Sequence, residues 1–385
     1  MTTTELKDLL GTCTITFKQR IADLIKLGNK GKLCITVADD SLDDDYSITS
    51  YKSRILTIED SDLKTQIELA FKHSPSEIIV FKYKSSVQVP VDSEDVSGSG
   101  SGSGDESEEE YITVSKRLEH YIDDLKKVNF NWICSLDAAD QQTVANYCIE
   151  NQVFGLVYNI EANSKYVVSL NNSSYTLKNG IKIGDSSVIN GVNMLPYIGG
   201  LLAGCPYDMA VTGFVLNEIE SAEAPQTYSV SQMSLYNDEE GVRVANPVNT
   251  LKTLTSTDTE DMKSIAIMEG IKRFDVDVKY GFRIGYKGRY KNKYDNQQLF
   301  ISAVKGYIKE LTKLDILDEE YDNTVIVNTD RMRELWIASG KPESEINSKS
   351  DLEIAKLTYK KSVLLKCNVK FLNAIEDCDI VVEMY

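Results

Sequence analysis

The sequence is poor in the side chains that carry most enzyme chemistry near neutral pH. It holds two histidines in 385 residues, His73 and His120, far apart along the chain. Its seven cysteines, Cys13, Cys34, Cys134, Cys148, Cys205, Cys367 and Cys378, stand singly, with no CxxC pair. Zinc ligation needs clustered thiolates and imidazoles, and a disulfide framework needs a short, cysteine-dense chain, so neither is expected. Positive charge is also short: 42 Lys and Arg face 59 Asp and Glu, a net charge of −17. A field of that sign repels phosphate backbones and anionic headgroups, so nucleic acid is not an expected partner. No stretch reaches the roughly 18 to 20 consecutive apolar residues of a membrane span, and the opening MTTTELKDLL lacks the basic and apolar regions of a signal peptide. The expectation is a cytosolic chain with no membrane insertion.

The short motifs of phosphate and acyl chemistry are missing as well. No GxxxxGKS or GxxxxGKT loop occurs, and GIKIGDSSVING at 180–191 lacks the GxGxxG spacing that lets backbone approach a pyrophosphate, so it reads as a turn. No GxSxG elbow occurs. His73, in FKHSPS at a helix end, and His120, in a polar helical run, read as helix-surface or capping residues. The acidic pairs Asp123/Asp124 and Glu239/Glu240 are adjacent, and adjacent residues point to different sides of a helix. No catalytic, metal-binding or cofactor-binding residue is therefore assigned, no cofactor is expected, and the chain is not expected to be an enzyme.

What is present suits a large packed protein, since 42% of the residues are hydrophobic, enough for two or three domains. CTITF at 13–17 alternates as an edge strand or arm would. LCITVA at 33–38 and EIIVFKY at 77–83 read as buried strands, with a helical pattern of Leu63, Ile67, Ala70 and Phe71 between them. A second round follows: a helix with Leu118, Tyr121, Ile122 and Leu125, a strand NWICSL at 131–136, a helix from Val144 to Ile149, and a strand FGLVYNI at 154–160. This rhythm predicts an α/β domain. Between the rounds, VDSEDVSGSGSGSGDESEEE offers nothing to pack and reads as a solvated loop.

Further on, MLPYIGGLLAG at 194–204 predicts a buried helix, KSIAIMEGIKRF at 263–274 a long one, and Gln297 to Leu314 another, with Leu299, Ala303, Tyr307 and Leu311 on one face. SVLLKCNVKFL at 362–372 alternates as a strand, and DIVVEMY closes the chain with exposed-edge strand signals. The segment KYGFRIGYKGRYKNKYDN at 279–296 interleaves cations with tyrosines on an otherwise acidic chain. That mixture is typical of protein interfaces, and the plainer alternative is a solvated hairpin.

Four ordered segments, YIGGLLAGCPYDMAVT at 197–212, GVRVANPVNTLKTL at 241–254, YKGRYKNKYDNQQLFISAVKGYIKEL at 286–311 and LKCNVKFLNAIEDCDIVVEM at 365–384, resemble the tail sheath proteins of contractile phages, R-type bacteriocins and related injection systems of Gram-positive bacteria. The resemblance runs from about Leu118 to the end. It implies an α/β outer domain plus an α+β carboxyl-terminal sheath domain, with extended strand arms at both chain ends: an arm at 1–20, an outer domain at 21–245, a tube-facing domain at 246–362, and a terminal strand and arm at 363–385. The flexible acidic Gly/Ser loop at 92–110, read from its composition, departs from the family pattern. It implies a structural subunit that polymerises helically around a tail tube and contracts to drive that tube through a bacterial envelope. Its partners would be further copies of itself, the tail tube protein, and the baseplate and tail terminator proteins, in a virion tail assembled in the host cytoplasm. A bacteriocin or other injection device is the alternative to a phage, and an α/β enzyme the more remote one. The arm residues the resemblance implies are Thr14, Ile15, Thr16 and Phe17, and Ile380, Val381, Val382, Glu383 and Met384. Lys287, Arg289, Lys291 and Lys293 are candidates for a tube or neighbour contact.

Overall fold

A computed structural model of the chain describes residues 31–53, 58–90, 111–225, 227–376 and 378–384. The amino-terminal arm expected at 1–20 and the acidic loop expected at 92–110 lie outside the described residues. The chain divides into two compact units, one of residues 31–205 and 211–265, the other of residues 206–210 and 266–384.

The first unit is built on strands β1 (Lys32–Ala38) and β2 (Tyr46–Tyr51), helix α1 (Ser61–Ala70) and strand β3 (Glu77–Tyr83). A hairpin of β4 (Ser86–Pro90) and β5 (Tyr111–Ser115) flanks the acidic Gly/Ser segment. The second round is α2 (Ile122–Leu125), β6 (Trp132–Ser135), α3 (Gln141–Asn151), β7 (Phe154–Tyr158) and β8 (Val167–Leu170). These strands form one sheet in the order β2-β3-β1-β6-β7-β8, parallel from β3 to β8 with β2 antiparallel at the edge. Parallel strands covered on both faces read as continuous apolar runs, and Leu33, Cys34, Ile35 and Thr36 of β1 are indeed all buried. The chain continues through β9 (Ser174–Leu177), β10 (Val188–Asn190), α4 (Gly191–Gly204) and β11 (Ile219–Ala222), whose strands form an antiparallel sheet ordered β10-β9-β11, then a hairpin of β12 (Leu235–Asn237) and β13 (Val242–Val244).

Helix α4 is the predicted apolar helix, and its glycines explain how it fits. It packs against α1, β1, β6 and β7. A methyl group on Gly200 would fall on the backbone carbonyl of Ala70, one on Gly204 on that of His73, and one on Gly199 2.9 Å from Leu33 Cδ1. The side-chain-free positions thus let one helix lie directly on another and on the sheet. Asn190 caps the helix, its side chain accepting from the Asn193 N–H at 2.9 Å.

The first unit runs to residue 265, past the 245/246 boundary that the resemblance implies, because the following segment bonds back into it. Thr250 N donates to Val167 O at 2.8 Å, Ser164 N donates to Thr250 Oγ1 at 3.1 Å, and Lys165 Nζ lies 2.5 Å from Asp258. Lys165 and Thr255 hold the Asp258 carboxyl down at about 2.

The second unit contains α5 (Ile265–Gly285), α6 (Tyr294–Thr312), β14 (Thr324–Val327), α7 (Thr329–Ala338), α8 (Glu343–Asn347), α9 (Asp351–Leu357) and β15 (Leu365–Asn368). Its core gathers Phe300, Ile301, Val304, Tyr307, Ile308 and Leu311 of α6 with Val325 and Val327 of β14. The stripe predicted for α6 differs at its start, where Leu299 is exposed and Phe300 and Ile301 are buried. A strict four-residue step advances about 40° around the helix each time, so such a series drifts off one face. Beneath α6, Asp277 accepts from Arg273 Nε at 2.5 Å and from Tyr307 Oη at 2.7 Å, and the Arg273 guanidinium lies 4.9 Å from the Tyr207 ring. A buried charge satisfied this way is tolerated in a core, whereas removing one partner would strand the other.

Candidate functional site

The carboxyl-terminal segment is tied to the second unit as far as Leu372 and is exposed beyond it. β15 runs antiparallel to β14, with Val327 opposite Leu365 and Thr324 opposite Asn368. Lys370 N donates to Asn323 Oδ1 at 3.0 Å, Asp318 N donates to Lys370 O at 2.9 Å, and Leu372 N donates to Ile316 O at 3.1 Å. Phe371 fills the space over Gly270, where a Cβ would come within 2.9 Å of its ring. The strand predicted across 362–372 is thus four residues long, with bridging contacts continuing to Leu372. Of the five residues predicted to alternate inward, Val363, Leu365, Val369 and Phe371 pack on the core, as does Leu364 between the first two, while Cys367 is exposed.

Beyond Leu372 the described residues form no regular secondary structure and are exposed. Ile375 is 96% exposed, Ile380 74%, Val381 83%, Val382 76% and Met384 92%. Five apolar side chains left in water within ten residues represent a standing cost, since burying each fully is worth about 1.5–3 kcal/mol. Among the described residues the strand predicted at DIVVEMY is not formed, and no partner strand lies beside it. Among the described residues β15 pairs with β14 alone, so its other edge has no strand beside it.

The basic segment is not the hairpin of the plainer alternative. Helix α5 runs to Gly285 and α6 starts at Tyr294, leaving a tight turn. Lys287 N donates to Phe282 O at 2.9 Å, and Gly288 sits at φ +76°, a conformation open mainly to glycine. Lys287, Arg289, Lys291 and Lys293 are all exposed on this turn. Of the tyrosines interleaved with them, Tyr286 packs inward, its ring 4.8 Å from Phe300 and 5.4 Å from Tyr290, whereas Tyr290 itself stays exposed. Together with residues 361–363 the turn walls a cavity of about 630 Å³. Lys287 and Lys291 line it, Lys361 faces them from the other wall, and Arg289 and Lys293 do not take part. Lys293 lies 3.4 Å from Asp295 instead. Sequence spacing gives no sign of Lys361, which reaches this cavity from 70 residues beyond Lys291.

The carboxyl edge of the parallel sheet is where α/β enzymes usually place their sites. Here its carboxylates are committed locally. Asp140 is 1% exposed and accepts from the Tyr83 hydroxyl, and burial raises its carboxyl above the usual range. Asp39 pairs with Lys82 at 2.8 Å, which with Ser41 holds it down at about 2, and Asp40 accepts from Ser85 N at 2.7 Å. Among the described residues, no group of three or more His, Cys, Asp and Glu side chains is placed to hold a metal ion. No helix there is long and apolar enough to cross a membrane. His120 has the capping role expected, its Nδ1 accepting from Arg117 N at 3.0 Å. His73 departs from the expected surface position: its ring is wedged between Tyr197, at 4.6 Å, and Phe214, at 5.6 Å.

Over 286 residues the chain is 23% identical to a tail sheath protein of Clostridium phage phiCD119, covering 71% of this chain and 77% of that one. The sheath tail protein of Listeria innocua superposes with a TM-score of 0.59, at 13% identity over 82% of this chain and 92% of its own. This is the tail sheath fold. A chain of the PVC extracellular contractile injection system, from a sheath complex in its contracted state, shares the fold over 91% of each chain at a TM-score of 0.57 and 8% identity. No family model matches the chain. The resemblance read from the four sequence segments and the sheath fold of mixed α/β content therefore agree. Of the residues that resemblance implied, Thr14 to Phe17 lie outside the described residues, Ile380 to Met384 form the exposed tail, and Lys287 to Lys293 form the basic turn of the second unit.

Proposed function

We propose that the chain is a structural sheath subunit of a contractile tail or injection device, and not an enzyme. It polymerises helically around a tail tube, and contraction of the polymer drives the tube through a bacterial envelope. The observation that carries this reading is the sheath fold, shared with the Listeria innocua sheath tail protein over most of both chains. The exposed apolar tail at 380–384 supports it, because a free subunit that keeps such a segment in water gains by burying it against a neighbour. In this reading the first unit is the outer α/β domain and the second the tube-facing α+β domain. The chain ends act as arms that add strands to neighbouring sheets, where backbone groups supply affinity and alternating side chains set the register. Contacts of this head-to-tail kind do not close on themselves, so they generate a helical polymer. The tube protein binds inside that polymer, baseplate and terminator proteins bind its ends, and assembly takes place in the host cytoplasm. The phage relative and the extracellular injection system support the device class equally.

Negative-stain electron microscopy of the purified chain at rising concentration tests this reading, with and without residues 378–384. Hollow tubes from the full chain and dispersed particles from the truncated one are the expected result. Dispersed monomers from the full chain at every concentration would overturn it.

A further inference from the structure

The sequence contains two Asn-Gly pairs, Asn179-Gly180 in the connection from β9 to β10 and Asn190-Gly191 where β10 passes into α4. Such a pair is chemically labile, because the next backbone nitrogen can attack the side-chain amide and glycine has no side chain to obstruct the approach. The fold treats the two pairs differently. Asn190 caps α4: its Oδ1 accepts from Asn193 N at 2.9 Å, which holds the amide in one orientation. Gly191 is buried, its N–H donates to Ser173 O at 3.2 Å, and a Cβ there would fall on the Tyr158 ring. The nitrogen that would attack and the group it would attack are thus both engaged, in tightly packed backbone.

Asn179 and Gly180 are both exposed, at φ +57° and +72°. Two successive left-handed residues make the type I′ turn for which Asn-Gly is the favoured sequence. A single bond closes the turn, Ile181 N donating to Lys178 O at 3.1 Å. Among the described residues no hydrogen bond holds the Asn179 side-chain amide or the Gly180 N–H. Apart from its chain neighbours, nothing lies within 4 Å of where a Cβ on Gly180 would stand. The strands on either side are held independently of the turn, since Leu177 N donates to Ser187 O at 2.8 Å and Thr176 pairs with Val188. The turn can therefore open and rotate about Asn179 without breaking the β9–β10 ladder.

We propose that Asn179 is a site of spontaneous deamidation in the folded chain, and that Asn190 is protected by its place at the start of α4. Hydroxide takes the proton of the Gly180 N–H, and the nitrogen bonds to Asn179 Cγ. The Cγ–Nδ2 bond breaks, and Nδ2 takes a proton from water and leaves as ammonia. Water then adds to either carbonyl of the cyclic imide and breaks that carbonyl's bond to the Gly180 nitrogen. Opening at Cγ gives aspartate, and opening at the backbone carbon gives isoaspartate. One water enters and one ammonia leaves, with no change of oxidation state. Each event adds one negative charge to a chain already at −17. Isoaspartate also lengthens the backbone by one carbon, which a turn lying outside the ladder absorbs, so the first unit stays folded as the product accumulates.

The test is incubation of the purified full chain at mildly alkaline pH, with samples taken over days, digested with chymotrypsin and read by tandem mass spectrometry. The spectra place the mass gain of an amide turned carboxylate at Asn179 or at Asn190. Parallel samples kept unfolded in guanidinium give the reactivity of each pair without the fold. The expected result in the folded chain is conversion of Asn179 on the order of tenfold faster than Asn190, because the cap and the Gly191 hydrogen bond must open before Asn190 can react. In guanidinium the two rates should converge. Equal rates at the two sites in the folded chain would overturn the proposal. So would a folded Asn179 that stays intact while its unfolded counterpart reacts, since the turn would then be locked.

Discussion

At the residue scale, the partly buried His73 makes stability depend on pH. Burial between Tyr197 and Phe214 pushes its imidazole down to about 4, against the pull of Glu218, which lies 3.7 Å from Lys72 and accepts from the Tyr197 hydroxyl at 2.7 Å. The unfolded chain takes up this proton near pH 6.5, whereas the folded chain resists until about pH 4. Stability from this group is therefore full above about pH 6.5 and is lost as pH falls toward 4, by about 2 kcal/mol between pH 7 and 5. Denaturant unfolding at those two pH values should show that loss in the wild type and a smaller one in His73→Phe, which keeps an apolar ring in the slot. An unchanged pH dependence in the variant would assign the acid sensitivity elsewhere. The sequence placed this histidine at a helix end, which is where it lies. It could not show the burial, because Tyr197 and Phe214 arrive from segments more than 120 residues away.

Elements were legible in proportion to how local their cause is. The β–α–β rhythm, the glycine-punctuated helix α4 and the alternation of Val363, Leu365, Val369 and Phe371 could all be read from adjacent residues. The β4–β5 hairpin escaped notice because SVQVP is a five-residue run that ends in proline, a weak strand signal. Helix α5 is longer than the 263–274 segment suggested, and it absorbs the first half of the basic strip because Phe274, Val278 and Phe282 pack on the second unit's core. For α4 the structure gives a sharp expectation. Gly200→Ala places a methyl on the Ala70 carbonyl, so α1 and α4 must separate. A destabilisation of about 1–3 kcal/mol follows, read as a lowered unfolding midpoint. An unchanged midpoint would mean that the two helices have room to spare.

For the whole molecule, net charge opposes what the tail favours. Copies carrying −17 each repel one another, and that repulsion is long-ranged and screened within about 10 Å at 0.1 M salt. Short-range contacts that bury apolar side chains are screened far less. Assembly followed by light scattering should therefore begin at lower protein concentration in 0.5 M salt than in 0.05 M. The opposite trend would show that ion pairs between copies outweigh the overall repulsion. The tail's exposure beyond Leu372 has a further, practical consequence. A chain shortened at that point keeps the second unit's body but has no segment to hand to the next copy. Mixed in small amounts with intact chains, it would act as a poison for filament growth, setting tube length by the ratio of the two.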